Sequence, residues 1–446
     1  MIMLWKKQMA KNIFRPILLC RGDVKEELGI YTIGLHKKNY FDYTASGLAY
    51  EIIEDRILEV LQTYANTHSK EAGMAATTGK YYEKAREKLY ENLEIDDNFV
   101  IIPNGCGATA AIKRFQELVG IYIPPATAKR YKIDVKKDDM PLVIVGPYEH
   151  HSNEISYREA FCDVVRIGLD KDGLIDFAEF EELLRENSHR ELIGSFCIAS
   201  NVTGIITPYK KISKLLRKYG AIVCFDAAAS SAYMNVDCTL YDAMFLSAHK
   251  LLGGPGSCGL LIVRKNIIDD TLPPTFAGGG TFSYVSKTTH TYDTDLHVRE
   301  EAGTPGILQF IRASLAYQLR NEIGFDFIKK EKDKLLKFFL DELQKIPNCE
   351  IYGNKREKNI GIVSFNIGNL DPYDLCKALS SRYGIETRAG CSCAGPYGHD
   401  LLGLKDQLVL GEKPGWIRIG MHFTQKKSDI QNLLEAIKKG VKTLEN

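Results

Sequence analysis

Short, continuous apolar runs alternate with helical patterns through the middle of the chain. Between most of these runs, apolar residues recur at helical spacing. Strands that are apolar on both faces and separated by helices predict a mostly parallel sheet covered by helices on both sides. We therefore predict an α/β fold, with seven strands at Phe99–Pro103, Pro141–Pro147, Cys162–Ile167, Leu192–Ser200, Ala221–Asp226, Asp242–Ser247 and Gly259–Val263.

The pattern differs at the two ends of the chain. Before the first strand we predict helices over 47–64 and 81–93, the second after a polar turn at Thr77–Gly79. After 303–306 a long helical stretch interrupted near Gly324 leads into a smaller α/β pattern that ends in a helix at 427–444. We predict an N-terminal arm (1–45), a large domain (46–306) and a small C-terminal domain (307–446).

Composition excludes several classes of protein. The 446 residues are 45% hydrophobic and carry 58 basic and 57 acidic side chains, so the net charge of +1 gives no general attraction for nucleic acid or anionic lipid. No apolar run approaches the roughly 20 residues of a membrane-spanning helix, and the N-terminus lacks the features of a signal peptide. The eleven cysteines are mostly scattered in apolar surroundings, which indicates reduced thiols. We expect a cytoplasmic protein.

Polar side chains follow several of the predicted strands. In sheets of this kind, ligands bind beyond the carboxyl ends of the strands. The sequence therefore predicts a site built from Asn104, His150, Asn201, Asp226 and Lys250.

Lys250 carries the strongest chemical signal. It ends the segment Ser247–Lys250, which follows an apolar run and precedes a glycine-rich turn. A lysine withdrawn from water has a lowered pKa, and its amine becomes nucleophilic enough to form a Schiff base with an aldehyde. The simpler interpretation is a solvated strand end.

The neighbouring motifs each allow two interpretations. The turn at 105–109 has free backbone amides at the start of a helix, which could bind a phosphate or could simply begin the helix with an ordinary cap. It matches neither the Walker A loop nor the G-x-G-x-x-G fingerprint of nucleotide-binding proteins. Asp226 needs a partner, either a basic side chain or a cationic ring nitrogen. His150 and His151 are adjacent and do not converge on one metal ion, so His150 fits ring stacking or proton transfer better, unless the pair lies on the surface.

Taken together, these motifs resemble a known family. They occur in order over about residues 40–440 and resemble the class V aminotransferase family of pyridoxal-phosphate enzymes, most closely its cysteine desulfurase and selenocysteine lyase branch. The resemblance implies fold type I, with a mostly parallel seven-stranded sheet in the large domain and a smaller C-terminal α/β domain. The motifs are Gly107–Thr109, Glu149–Asn153, Ser200–Val202, Asp226, Ser247–Gly256 and Glu301–Pro305.

The resemblance also implies roles in holding pyridoxal 5′-phosphate. Lys250 would form the Schiff base, Asp226 would bond the ring nitrogen, His150 would stack on the ring and assist proton transfer, and Asn201 would approach the phenolic oxygen. In this family a loop of the partner subunit reaches the phosphate, and Gly279–Thr281 matches it, which implies a homodimer. The groups expected to hold the phosphate are Gly107, Ala108, Thr109, Ser247, His249 and, from the partner, Thr281.

A second segment resembles the sulfur-transfer site of the desulfurases. In the segment 388–396, Arg388 lies five residues before Cys393. Cys393 takes the position of the cysteine that forms a persulfide in the desulfurases. Arg418 matches the arginine that binds the substrate carboxylate, and Arg388 would help. The resemblance implies that L-cysteine forms an external aldimine, that its sulfur moves to Cys393 with release of alanine, and that a sulfur-acceptor protein is a partner.

Three features depart from the desulfurase pattern. Ala229 stands where a glutamine is usual beside the phenolic oxygen, and Cys391 stands where a histidine is usual. Cys391 could resolve or relay sulfur on Cys393, could be structural, or could join His399 at a metal, although a fourth ligand is lacking and we expect no metal. The stretch from Cys393 to Arg418 is long and could form a lid or a partner surface.

The departures leave other reactions open. One alternative keeps the cofactor and fold for a β-lyase, epimerase or aminotransferase. A more remote alternative is a non-catalytic protein that binds the cofactor.

Overall fold

The computed structural model describes residues 12–19, 22–131, 135–405 and 414–445. Its helices are α1 Val24–Tyr31, α2 Glu51–Leu61, α3 Gly73–Leu93, α4 Gly107–Leu118, α5 Pro125–Arg130, α6 His151–Arg158, α7 Phe177–Glu186, α8 Tyr209–Lys218, α9 Leu296–Glu300, α10 Ile307–Ile323, α11 Phe325–Leu343, α12 Pro372–Tyr383, α13 Gly395–Leu402 and α14 Lys427–Glu445. Its strands are β1 Thr32–Ile33, β2 Ala49–Tyr50, β3 Phe99–Asn104, β4 Leu142–Val145, β5 Asp163–Arg166, β6 Leu192–Cys197, β7 Ile222–Asp226, β8 Ala243–Ser247, β9 Gly259–Arg264, β10 Phe282–Val285, β11 His290–Tyr292, β12 Cys349–Ile351, β13 Ile362–Ile367, β14 Arg388–Gly390 and β15 Trp416–Gly420.

A seven-stranded sheet forms the centre of the fold. Its strand order is β3-β9-β8-β7-β6-β4-β5, and β9 alone runs antiparallel to its two neighbours. Strands β3, β4, β6, β8 and β9 are buried along nearly their whole length, because helices cover both faces of the sheet. This confirms the α/β architecture and the seven strands predicted from the apolar runs.

A smaller, antiparallel sheet carries the C-terminal part of the site. Its order is β12-β13-β15-β14, and α11, α12 and α14 contribute to the apolar core behind it. Helix α10 instead packs against α2 and α3 and belongs to the core of the seven-stranded sheet. The division of the chain at residue 306 stays a prediction.

Two helices differ from the sequence prediction. Helix α1 lies in the segment 1–45, for which we predicted an N-terminal arm and no helix. The Asp23 side chain caps it by accepting a hydrogen bond from Glu26 N. Helix α3 begins at Gly73, so the Thr77–Gly79 segment is helical and the predicted turn there is wrong. The two threonine hydroxyls donate to carbonyl oxygens, Thr77 to Gly73 within the helix and Thr78 to Thr63 outside it.

Among the helices of the described ranges, none combines the length and the apolar character needed to cross a bilayer.

Candidate active site

Twelve of the residues predicted to serve the site line one cavity of about 200 Å³. It lies at the carboxyl ends of the parallel strands, where the loops after β3, β4, β6, β7 and β8 meet the arginines of the smaller sheet. The twelve are Gly107, Ala108, Thr109, His150, Asn201, Asp226, Ser247, His249, Lys250, Arg388, Cys393 and Arg418. Asn104, also predicted at this edge, is buried at the end of β3 and does not line the cavity.

Lys250 ends a short 3-10 turn that directly follows β8. Burial lowers the pKa of its amine to about 8, although the Asp226 carboxylate nearby opposes the shift. Asp226, at the end of β7, is 5% exposed and accepts a hydrogen bond from Ala228 N at 2.8 Å. Burial raises the pKa of this carboxyl. An amine and a carboxylate therefore share one poorly hydrated cavity.

His150 is held as a neutral imidazole at the start of α6. Burial, followed by the charge of Lys250, lowers its pKa to about 3. Its Nδ1 accepts a hydrogen bond from Ser152 N at 3.1 Å, which places the ring proton on Nε2. The ring can donate a hydrogen bond from Nε2 and presents a flat, uncharged face.

Glu149 fixes the backbone beside His150 and was not singled out by the sequence analysis as a site residue. Its buried carboxyl accepts hydrogen bonds from Asn153 Nδ2 at 2.7 Å and from Cys197 N at 3.0 Å. Burial raises the pKa of Glu149 to about 8. These bonds tie the end of β6 to the first turn of α6 and so position His150.

The turn before α4 forms a cradle of small groups. Gly107 has a φ of +62°, and a Cβ there would lie 2.9 Å from His249 Cε1 and 3.0 Å from Ser247 Oγ. Ser247 Oγ accepts a hydrogen bond from Ala108 N at 2.9 Å, and the Thr109 and Ser152 hydroxyls lie 2.7 Å apart. Hydroxyls and amides at a helix start, with no side chain in the way, suit a phosphate group.

The two arginines come from adjacent strands of the smaller sheet. Arg388 in β14 lies opposite Arg418 in β15, so both side chains reach the cavity together. Arg418 is 2% exposed; its Nη2 donates to Asp42 Oδ1 at 2.7 Å and its Nη1 donates to Asn201 O at 3.2 Å. Arg388 Nη2 lies 4.0 Å from Cys393 Sγ.

Asp42, the partner of Arg418, was not identified from the sequence. It lies 376 residues from Arg418, within the segment 1–45 that we predicted as an N-terminal arm. A carboxylate within a mostly apolar and aromatic segment could have indicated a buried charge at Asp42. Nothing in the neighbouring sequence indicated that Arg418 is its partner. Asp42 itself does not line the cavity. Ala229, at the position where a glutamine is usual in the desulfurases, does line it. The lining residues not predicted for the site are Thr44, Ala45, Cys106, Ser152, Cys197, Ala199, Ala228 and Ser392.

Two further predicted residues, besides Asn104, do not line this cavity. Cys391 is half-buried against the large core. Thr281 is fully buried, and its hydroxyl donates to Gly278 O at 2.8 Å. The expectation that Gly279–Thr281 serves the site of a partner subunit stays a prediction.

The family model for aminotransferase class V matches residues 39–433 of this chain. The chain belongs to the class V aminotransferase family. Enzymes of this family depend on pyridoxal 5′-phosphate, and the protein is accordingly a pyridoxal-phosphate-dependent enzyme.

Several curated relatives carry the name probable cysteine desulfurase. The one from Streptomyces coelicolor is 28% identical over 371 residues, which cover 81% of this chain and 84% of the relative. The one from Methanothermobacter thermautotrophicus is 32% identical over 301 residues, covering 66% of this chain and 72% of the relative. The branch suggested by the sequence motifs is therefore confirmed.

Solved structures share the fold. The apo cysteine desulfurase of Thermococcus onnurineus has a TM-score of 0.80 at 23% identity, covering 95% of this chain and 99% of the other. The cysteine desulfurase CsdA of Escherichia coli has a TM-score of 0.76 at 22% identity, covering 95% and 100%. These likenesses confirm the fold type I architecture.

The cavity fits the family's cofactor on its own geometry. The cradle at Gly107 would be filled by any side chain, the buried Asp226 carboxylate suits a cationic ring nitrogen, and Asn201 Oδ1 is buried without a hydrogen-bond partner. An unpartnered buried polar atom beside a cavity indicates a ligand that satisfies it. The Asn201 amide nitrogen, however, donates to Ser392 O at 2.7 Å, so this side chain also serves the cysteine loop.

Proposed function

We propose that this enzyme removes sulfur from L-cysteine and transfers it to Cys393 as a persulfide, with release of alanine. The observation that carries the proposal is that the Cys393 thiol lines the same cavity as Lys250, Asp226 and Arg418. A thiol at this place faces whatever amino acid the arginines and the lysine hold. The names of the curated relatives support the same reaction.

Residues around the start of α4 and the end of β8 would hold the cofactor. Gly107, Ala108, Thr109, Ser247 and His249 would surround the phosphate. When bound, pyridoxal phosphate supplies an aldehyde that condenses with amines and a ring that stores the electron pair left when a substrate carbon loses a proton.

The positive charges of two arginines would orient the substrate. Arg418 has further N–H groups beyond those that bind Asp42 and Asn201, and these would hold the substrate carboxylate. Arg388 adds a second positive charge on the same side. The substrate side chain then points towards the loop that carries Cys393.

Proton transfer would fall to two nearby groups. With its pKa lowered to about 8, a substantial fraction of the Lys250 amine is neutral near physiological pH, and it would accept the proton from the substrate α-carbon. The neutral His150, with its proton on Nε2, would donate a hydrogen bond within the cavity.

Sulfur transfer would take place between Cys393 and the substrate. The Cys393 thiolate attacks the substrate sulfur, an S–S bond forms, and the Cβ–S bond breaks with its electron pair passing to the carbon skeleton, which is protonated to alanine. The positive charge of Arg388, with Nη2 4.0 Å from Sγ, would stabilise the attacking thiolate. A thiol acceptor would then take the terminal sulfur, and we propose that an acceptor protein supplies it.

A Cys393→Ala variant tests the proposal. We expect it to lose alanine formation from L-cysteine almost completely while keeping the visible absorption of the bound cofactor, because the thiol is separate from the groups that hold the cofactor. Peptide mass spectrometry should find the persulfide of the wild-type enzyme on Cys393. Lys250→Ala should lose both the activity and the absorption band.

Cys391→Ala is the matched control. Cys391 lies two residues away but outside the cavity, so this variant should keep most of the alanine formation. Unchanged turnover in Cys393→Ala would refute the persulfide step and favour a β-lyase, epimerase or aminotransferase reaction at the same cofactor. If Cys391→Ala alone is inactive, the sulfur is received by Cys391.

A further inference from the structure

The loop Cys391–Gly395 has an unfavourable backbone conformation at the reactive cysteine. Ser392 and Cys393 have φ angles of +55° and +59°. Residues other than glycine adopt this left-handed region rarely, because their Cβ crowds the backbone there. Two such residues in succession persist only where the surrounding structure holds them, so the contacts that hold this loop decide where the thiol lies.

His151 supplies two of these contacts, one on each side of Ala394. Its backbone N–H donates to Cys393 O at 2.8 Å. Its ring Nε2 accepts a hydrogen bond from Gly395 N at 2.8 Å, so the imidazole is neutral with its proton on Nδ1. Unlike its neighbours His150 and Ser152, His151 does not line the cavity.

Two other side chains bind Ser392, the residue before Cys393. Asn201 Nδ2 donates to Ser392 O at 2.7 Å, and Trp416 Nε1 donates to Ser392 Oγ at 3.2 Å. Asn201 lines the cavity, so its substitution would disturb the cofactor as well. Trp416 is fully buried in the large core, so its substitution would disturb the packing of the fold. His151 is therefore the residue whose effect on the loop can be separated from binding.

We propose that His151 is a positioning residue that fixes the Cys393 thiol at the cavity by accepting the Gly395 N–H on its ring. Its importance for sulfur transfer rests on the proposed function, whereas its hold on the loop does not. With the loop anchored, Cys393 Sγ stays near Arg388 Nη2. Released from His151, the strained residues would relax and carry the thiol away from the substrate.

Two substitutions separate the hydrogen bond from the bulk of the ring. His151→Gln keeps an amide oxygen that can reach the Gly395 N–H, whereas His151→Phe keeps a ring of similar size without an acceptor. All variants keep the backbone N–H that bonds Cys393 O. His189→Phe is the matched control, because His189 is exposed and outside the cavity.

The first measurement is amide hydrogen exchange in the cofactor-loaded enzyme. We expect exchange at Gly395 to rise at least tenfold in His151→Phe, to return close to wild type in His151→Gln, and to stay unchanged in α14 and in the His189→Phe control. Unchanged exchange at Gly395 in His151→Phe would overturn the proposal. If that variant does not fold, His151→Asn, whose amide is too short to reach, takes its place with the same expectation.

The second measurement is turnover of L-cysteine. His151→Phe should lower kcat by about 10- to 100-fold with little change in KM, because a misplaced thiol slows the chemical step and leaves binding intact. His151→Gln should recover most of the loss. A raised KM at unchanged kcat would instead assign His151 to substrate binding. If the wild-type enzyme has no desulfurase activity, the proposed function fails, and the exchange experiment still decides the role of His151.

Discussion

At the scale of single residues, the site depends on a charge pair that sequence alone did not reveal. Arg418 was identified by its resemblance to the carboxylate-binding arginine, but its partner Asp42 was not. A guanidinium that is 2% exposed needs a carboxylate or equivalent acceptors, because an unpaired buried charge is strongly destabilising. Asp42 thereby orients Arg418.

Removing the Asp42 carboxylate should therefore affect both stability and substrate binding. We expect Asp42→Ala to lower the free energy of unfolding by about 3 kcal/mol and to raise the KM for the amino acid, because Arg418 loses its partner and its orientation. Asp42→Asn keeps an oxygen acceptor and should show a smaller loss of each. Urea unfolding and steady-state kinetics measure the two effects; equal values for Asp42→Ala and wild type would show that Asp42 does not orient Arg418.

At the scale of elements, close packing of backbone at the start of α4 shapes the site. Gly107 and Gly259 lie against each other: a Cβ on Gly259 would come within 2.1 Å of Gly107 O. The strand–turn–helix pattern predicted this element from the sequence, and glycines were expected there. The second glycine, Gly259, lies in β9, far along the chain, and only the tertiary packing brings it against Gly107.

Adding a methyl group at Gly107 should weaken cofactor binding. In Gly107→Ala the Cβ would crowd His249 and Ser247, and the left-handed φ of +62° adds strain of roughly 1–2 kcal/mol. We expect the dissociation constant for pyridoxal phosphate, titrated into the cofactor-free protein, to rise by at least tenfold. Gly105→Ala is the control: its Cβ would meet only Ala110 Cβ at 3.5 Å, so binding there should change little. Similar affinities for both variants would contradict the cradle.

At the scale of the whole molecule, buried neutral histidines tie stability to pH. His422, next to the smaller sheet, is 1% exposed and its ring stacks on Tyr43 with centroids 3.7 Å apart. Burial lowers its pKa to about 3, and burial lowers the pKa of His249 to about 4. Unfolded histidines bind protons near pH 6.5, so the unfolded state binds more protons below that value and the free energy of unfolding falls as the pH falls towards 3.

Replacing His422 should make the protein less sensitive to acid. Between pH 7.5 and pH 5.0 we expect wild type to lose about 2 kcal/mol more of its free energy of unfolding than His422→Phe, at about 1.4 kcal/mol per pH unit below 6.5. Phenylalanine keeps a ring against Tyr43 and cannot titrate. Urea unfolding at the two pH values provides the comparison, and equal losses in both proteins would show that His422 is not buried in the neutral form.

The sequence by itself determined the types and order of most elements and the edge of the sheet where the site lies. Apolar runs and helical spacing are local properties, and the carboxyl ends of parallel strands meet at one edge, so Lys250, Asp226, Asn201 and His150 could be placed together. Where local signals conflicted, as in the threonines of α3, the prediction was wrong because their hydroxyls bond to carbonyl oxygens that the pattern does not show.

Only the tertiary structure decided which distant segments complete the site. Asp42 pairs with Arg418 across 376 positions of the sequence. His151 accepts a hydrogen bond from Gly395, 244 positions away, and so anchors the cysteine loop. No periodicity or motif encodes such contacts, because they follow from how two sheets and their loops pack. The sequence indicated a Schiff-base lysine and a reactive cysteine; the fold brought them to one cavity and fixed the loop that carries the thiol.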